Sequence, residues 1–307
     1  MKGFARSEVV PYQFRLVEMF SGYEHLIGGL AGGFTSTIVC HPFDLLRIRY
    51  SANEGSSLRP QYRSYLHAAT SIVKANGIRG LYQGLSPHII AAPLSWGLYF
   101  QIYHKIRAKV EPFQNKNVNN LLVGMGTGVL VLAMTNPLWI VKTRLCLQYE
   151  NQGVRKYSGM IDCYRKILRY EGWMGLYKGF IPGLVGTVNG AIQFAIYNYL
   201  KDWRCRLKNI PQDSPLETSD YLLYSCLSKI LSTLLTFPYQ VVRTRQQDHN
   251  ADYKGVIDVL LRTYKGEGIL GFYKGALIAT FKQTPNAIVT YVVYEHARRI
   301  AESFNNN

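Results

Sequence analysis

Acidic residues are scarce in this chain: 19 Asp and Glu stand against 35 Lys and Arg, a formal net charge of +16. In a soluble protein that imbalance points first to nucleic acid, and in a membrane protein to basic loops. Cysteine chemistry is missing as well. Cys40, Cys146, Cys163, Cys205 and Cys226 form no CxxC pair and have no histidine at metal-ligand spacing, which argues for reduced, structural thiols and no metal site. There is no Gly-rich loop ending in Gly-Lys-Ser/Thr and no Ser-His-Asp pattern, which speaks against an ATP-driven pump or a membrane enzyme. The expectation is a protein with no catalytic residues, no covalent chemistry and no cofactor. The first residues mix Lys2, Arg6 and Arg15 with Glu8 and Glu18, a poor transit peptide, so targeting is expected to be internal.

Charge is also absent from four long stretches, 25–43, 80–104, 117–141 and 179–200, with histidine counted as neutral. About 20 apolar residues suffice to cross a bilayer as a helix. Two more stretches, 221–242 and 275–294, are each broken by one cation, Lys229 and Lys282. A mean hydropathy of −0.05 fits helices that are polar on one face because they line a water-filled cavity.

Against these absences stands repetition. The strings PFDLLRIR, PLWIVKTR and PYQVVRTR begin at Pro42, Pro137 and Pro238. In each copy a tyrosine (Tyr62, Tyr157, Tyr253) precedes a glycine (Gly77, Gly172, Gly268) by fifteen residues. A second glycine (Gly84, Gly179, Gly275) follows seven residues later, closing GLYQG, GLYKG and GFYKG. Each repeat reads as an apolar helix ending near the proline, a basic loop holding a short amphipathic helix, and a second apolar helix. Three copies, over 21–110, 115–206 and 217–301, predict six membrane-spanning helices and both termini on one side. Basic residues outnumber acidic ones in all three long loops, 44–79, 142–178 and 243–274, which puts those loops on one common face. Gly28 with Gly32, and Gly124 with Gly128, are spaced for close helix packing.

These motifs resemble the mitochondrial carrier family (solute carrier family 25 type): a Pro-x-acid-x-x-basic-x-basic frame followed by Gly-x-x-Gly-x-Tyr-x-Gly, three times over. The acid itself survives only as Asp44. TNPLWIVKTRL, YKGFIPGLVGTVNGAIQFAIYNYLK and PYQVVRTRQQD are similar to the branch that carries folate, FAD, pyrimidine nucleotides and NAD, nearest to folate and FAD. The resemblance implies an all-α, six-helix carrier in three pseudo-symmetric repeats, multi-pass in the mitochondrial inner membrane, with the basic loops in the matrix. Its expected function is to move an anionic, coenzyme-like metabolite, FAD or folate, by alternating access. NAD or a pyrimidine nucleotide is the alternative cargo. A basic nucleic-acid-binding protein is a remote alternative, distinguished by solubility without detergent.

The resemblance also implies site residues. The matrix gate falls on Asp44, Trp139 and Gln240 with Arg47, Lys142 and Arg243. One full ion pair, Asp44 with Lys142, is expected, with Trp139 set against Arg243 and Gln240 against Arg47 at about 1 kcal/mol each. The opposite, cytoplasmic gate falls on Tyr103, His104 and Arg107; Tyr197, Asn198 and Lys201; and Tyr294, Glu295 and Arg298. Cations inside spans mark substrate sites, so Lys282 and Lys229 are expected to bind anionic groups. By the family's register Ala91 and Ala92, and Val185 and Gly186, are small contact positions. They leave room for a flat ring against Trp96 or near Asn189 and Gln193. Helix N-termini near Gly77, Gly172 and Gly268 resemble the family's cardiolipin sites. A monomer with no nucleic-acid partner is expected.

Overall fold

The computed structural model describes residues 24–55, 59–60, 62–109, 116–149, 156–208 and 217–305. The N-terminal segment read for targeting, and the repeat limits at 21, 110 and 115, lie outside them. Among the described residues the chain forms nine α-helices and two short 3-10 turns, with no strand. Six helices are long: α1 (Glu24–Ala52), α3 (Leu85–Arg107), α4 (Lys116–Cys146), α6 (Phe180–Leu207), α7 (Thr218–Gln247) and α9 (Ala276–Asn305). Three are short and follow the basic segments: α2 (Tyr65–Asn76), α5 (Met160–Gly175) and α8 (Val256–Glu267). Long, short, long recurs three times, as the repeats predict.

Five of the long helices hold an internal proline: Pro42, Pro93, Pro137, Pro238 and Pro285. In water an interior proline costs a helix about 3 kcal/mol. In a membrane the helix persists because neighbouring helices and hydroxyl side chains satisfy the freed carbonyls. Even the shortest, α3 with 23 residues, reaches about 35 Å at about 1.5 Å per residue, beyond a hydrocarbon core of about 30 Å. Leu121–Cys146 and Phe180–Leu207 are also apolar enough to cross a membrane by composition; the other four long helices carry more polar residues. In the second of these, 11% of the apolar window is buried, and Phe34, Trp96, Met134, Phe194, Leu235 and Phe281 on the long helices are likewise exposed. A water-soluble fold would bury such side chains.

The repeated glycines all have positive φ but form two sets, with ψ of −174°, −168° and −160° at Gly77, Gly172 and Gly268 and of 11° and 8° at Gly84 and Gly179. Gly77, Gly172 and Gly268 have φ of 66°, 68° and 65°; Gly84, Gly179 and Gly275 have 77°, 79° and 92°. All six lie in the left-handed region that residues with a Cβ disfavour. The first set turns the chain out of the short helix, and the second precedes the next long one.

By packing, the described chain divides into two compact units, the described part of Met1–Cys40 with Gln283–Asn307, and His41–Lys282. In the first, a Cβ on Gly32 would lie 2.6 Å from the carbonyl oxygen of Thr290, and one on Gly28 2.9 Å from Tyr294, so α1 and α9 touch backbone to backbone. In the second, the core gathers around the proline motifs. Leu45, Ile48 and Ile72 pack with Leu147 and Ile278; Ile140, Leu145, Ile167 and Leu176 form another cluster; Phe237 and Val241 meet Ala276 and Ala279.

Candidate functional site

The three motif strings in His41–Lys282 close into a ring. The last basic residue of each string is fully buried and reaches the helix end of the next repeat. Arg49 Nε donates to the Cys146 carbonyl at 3.0 Å, Arg144 Nε to the Gln247 carbonyl at 3.3 Å, and Arg245 Nε to the Ser51 carbonyl at 3.0 Å. The guanidinium tips of Arg144 and Arg245 turn back into their own repeats, while Arg49 Nη2 also donates to the Gln148 carbonyl of the second repeat at 2.8 Å. Arg144 forms a two-pronged pair with Glu171, and Arg245 Nη2 lies 3.0 and 2.8 Å from the Glu267 oxygens. In the first repeat Arg49 donates instead to Gln83 Oε1 at 2.9 Å and Tyr62 Oη at 3.1 Å. A planar fork suits this work because one arm can cap a carbonyl while two others hold a carboxylate. The glycines complete the joints: a Cβ on Gly84, Gly179 or Gly275 would meet Cys146, Gln247 or the Arg47 carbonyl at 2.7, 2.9 and 3.0 Å.

Inside this ring lie the residues read as the matrix gate. Asp44 is buried and bound from two sides, by Lys142 Nζ at 3.4 Å on Oδ2 and by Lys282 Nζ at 2.8 Å on Oδ1. Arg47 Nη1 donates to Gln240 Oε1. Trp139 differs from expectation. Its ring faces the Lys142 ammonium at 5.2 Å rather than Arg243, and its Nε1 donates to Ser95 Oγ at 3.2 Å. Arg243 Nη2 donates instead to Asn136 Oδ1 at 3.2 Å. The reason is local. Asn136 precedes Pro137 and spans the joint, with its amide nitrogen on the Leu176 carbonyl at 2.7 Å, so its oxygen is already aimed at the arginine. Arg47, Trp139, Lys142, Tyr239, Gln240 and Arg243 line a cavity of about 170 Å³, in which the cations outnumber the acids.

The predicted contact residues separate. Lys282 is in the gate network. Lys229 is exposed and donates to Gln193 Oε1 at 3.2 Å. Asn189 Nδ2 is held by Ser232 O at 3.2 Å and Thr236 Oγ1 at 2.7 Å, so its amide joins α6 to α7. Ala91 has no exposed surface and Val185 is exposed. Trp96 and Gly186 share a cleft of about 620 Å³ with Tyr99, Gly128, Gly190 and Phe194. Trp96 lies over Phe100 at 5.9 Å between ring centroids.

The residues assigned to the opposite gate divide between the two units. Tyr103 stacks on Tyr99 with centroids 6.0 Å apart, while His104 and Arg107 are exposed. Tyr197 packs against the Cys205–Tyr224 cluster, and Asn198 and Lys201 are half-buried. In the other unit Tyr294 faces Gly28, Glu295 accepts from Arg299 at 3.1 Å one turn along its own helix, and Arg298 is half-buried.

Outside the long helices the loops are tied by charge. Arg59 Nη2 pairs with buried Asp248 at 2.7 Å. Glu171 lies 2.7 Å from Lys178 as well as on Arg144. Burial alone would raise its pKa, but these two cations hold it down at about 2. Sequence reasoning passed over Arg49, Arg144, Arg245, Glu171 and Glu267. The signal was there: an arginine seven residues after every motif proline, and a glutamate just before Gly172 and Gly268.

The family model described as "Mitochondrial carrier protein" matches three times, over residues 19–112, 113–207 and 214–304. Folate transporter 1, chloroplastic, of Arabidopsis thaliana is 34% identical over 91% of this chain and 95% of its own length. Nicotinamide adenine dinucleotide transporter 2, mitochondrial, of the same plant is 33% identical over 87% and 76%. The mitochondrial FAD carrier protein FLX1 of Saccharomyces cerevisiae is 29% identical over 90% and 96%. With three matches covering the whole helical region, and an arginine ring that joins the three motif strings, the chain belongs to the mitochondrial carrier family.

Proposed function

We propose that this protein moves an anionic coenzyme-like metabolite, FAD or folate, across the mitochondrial inner membrane, with the carrier repeats at 21–110, 115–206 and 217–301 each supplying two spans. The observation that carries this reading is Lys282, a cation inside a membrane helix bound to the gate acid Asp44 at 2.8 Å. A substrate carboxylate or pyrophosphate arriving at Lys282 competes with Asp44 for it. Binding is thereby coupled to loosening of the matrix gate of Asp44, Arg47, Trp139, Lys142, Gln240 and Arg243, which alternating access requires. Lys229 supplies a second cation once Gln193 releases it. Trp96, Val185 and Gly186, with Asn189 nearby, frame the place for a flat ring, and Ala91 belongs to the same ring site only after the helices move.

The residues Tyr103, His104, Arg107, Tyr197, Asn198, Lys201, Tyr294, Glu295 and Arg298 form the cytoplasmic gate, with Glu295 its single acid. The protein works as a monomer, with cardiolipin phosphates at the backbone N–H groups following Gly77, Gly172 and Gly268. It does no bond chemistry and binds no nucleic acid. The names of the relatives support both cargo readings, and the NAD transporters, at 33% identity, keep NAD as the second one. Purified protein in liposomes should take up labelled FAD or folate faster than NAD or pyrimidine nucleotides. Equal uptake of none of the four by correctly inserted protein would reject the reading, and uptake of NAD alone would select the second.

A further inference from the structure

The gate acid has two neighbours that the transport reading does not use. His41, one residue before Pro42, and His88, near the start of α3, are both buried, 0% and 7% exposed. Their Nδ1 atoms face each other at 3.3 Å, and His88 Nδ1 is 3.7 Å from Asp44 Oδ2. One ligand atom from each of the three residues lies within 4.8 Å of the others. Two imidazole nitrogens on a tetrahedral zinc, each at about 2.0–2.1 Å, are about 3.3 Å apart. The observed histidine spacing therefore matches one edge of such a tetrahedron, and the 3.7 Å between His88 Nδ1 and Asp44 Oδ2 is a few tenths of an ångström longer than a second edge.

The outer shell fits too. His41 Nε2 lies 2.9 Å from the Gln83 carbonyl, a contact in which that nitrogen must donate, leaving Nδ1 as the lone-pair atom. A backbone carbonyl behind a ligating imidazole is the usual way a metal site fixes the tautomer. Two imidazoles and one carboxylate, with a fourth position left for water, suit zinc among the common divalent ions.

We propose that His41, Asp44 and His88 bind a single Zn²⁺-type ion, which takes Asp44 Oδ2 from Lys142 and, by keeping that gate pair from re-forming in each cycle, slows transport. The ion ties α1 to α3 inside the first repeat, where the ion pair had tied α1 to α4. Lys142 swings toward the Trp139 ring that it already faces, and Lys282 keeps Oδ1. The two ammonium groups oppose the ion electrostatically, so Lys142 is the residue that limits affinity.

Cobalt(II) is the probe, because tetrahedral Co²⁺ absorbs in the visible and zinc displaces it. Titrating the detergent-purified full chain should give a tetrahedral spectrum that saturates at one equivalent and is bleached by Zn²⁺. His88→Asn should abolish it, and Lys142→Gln should tighten binding by at least about tenfold by removing a like charge beside the site. Micromolar Zn²⁺ should inhibit uptake by the wild-type protein and leave His88→Asn less sensitive. No spectrum at one equivalent, or the same spectrum in folded His88→Asn protein, overturns the proposal. If His88→Asn does not fold, as judged by far-UV circular dichroism, Lys142→Gln decides: unchanged or weaker Co²⁺ binding overturns it.

Discussion

Asp44→Asn tests the gate geometry most directly. Asp44 is 3% exposed and carries two ammonium partners, Lys142 at 3.4 Å and Lys282 at 2.8 Å. Asparagine keeps the shape and removes the charge, leaving Lys142, itself 3% exposed, without a counter-ion. Removing one member of a buried pair costs about 3–5 kcal/mol, because the desolvated partner stays behind. At about 2.1 cal/mol/K of unfolding entropy per residue, a chain of 307 residues should lose about 5–8 °C of melting midpoint. The assay is thermal unfolding in detergent followed by a thiol-reactive dye, for which the buried Cys40, Cys146, Cys163 and Cys205 are the reporters. The double substitution Asp44→Asn with Lys142→Met should recover part of the loss, since the stranded charge is removed as well. A midpoint for Asp44→Asn unchanged from wild type, or a double variant that loses the full sum of the two single effects, would refute the claim that this buried pair ties α1 to α4 in the gate.

Lys282→Ala should reduce uptake of the anionic cargo by about a hundredfold, the scale of a lost charge-assisted contact of about 3 kcal/mol, while the protein still inserts; equal uptake by inserted protein would remove Lys282 from the binding site. Gly179→Ala and Gly172→Ala should both lower the melting midpoint, for different reasons. Gly179 has φ 79° and ψ 8°, and a Cβ there meets Gln247 at 2.9 Å, whereas at Gly172 nothing lies within 4 Å and the cost is the backbone at φ 68° and ψ −168°, which only glycine adopts freely; an unchanged midpoint in either variant would refute the cause given for it. For Glu171, the folded pKa of about 2 lies below the ordinary 4.5, so the unfolded state binds the proton first as pH falls. Its contribution to stability is therefore present in full above about pH 5 and is lost between about 4.5 and 2. Glu171→Gln should flatten the midpoint-against-pH curve in that window and leave its shape unchanged near neutrality; a curve of unchanged slope would mean that Arg144 and Lys178 do not hold the carboxylate charged.

How far the chain could be read before folding depended on whether the information was local. The punctuation by Pro42, Pro137 and Pro238 and by the six recurring glycines could be seen in one dimension, because a positive φ or a helix kink is a property of a residue and its neighbours. The pairing of Asp44 with Lys142, and of Gln240 with Arg47, was also expected, from the resemblance of the repeated motif to the carrier family. Side-chain targets did not. Trp139 and Arg243 were matched by motif position alone, yet Asn136 was nearer to the arginine and Lys142 to the indole. Asn189 and Gln193 looked free to receive a ligand and are engaged by Thr236 and Lys229.

The amino-acid sequence by itself determined the three repeats, the all-helical class, the long uncharged stretches and the basic character of the loops, since each is set by periodicity and composition over consecutive residues. Only the tertiary structure decided which carbonyl each buried arginine caps, that Lys282 shares Asp44 with Lys142, and that His41 comes to face His88. Those two histidines are far apart along the chain and show no ligand spacing, and the approach of α3 to α1 beside Pro42 is what brings their nitrogens to 3.3 Å. Contacts of that kind depend on the relative placement of whole helices, which is a sum over many weak packing terms and leaves no short-range trace in the order of residues.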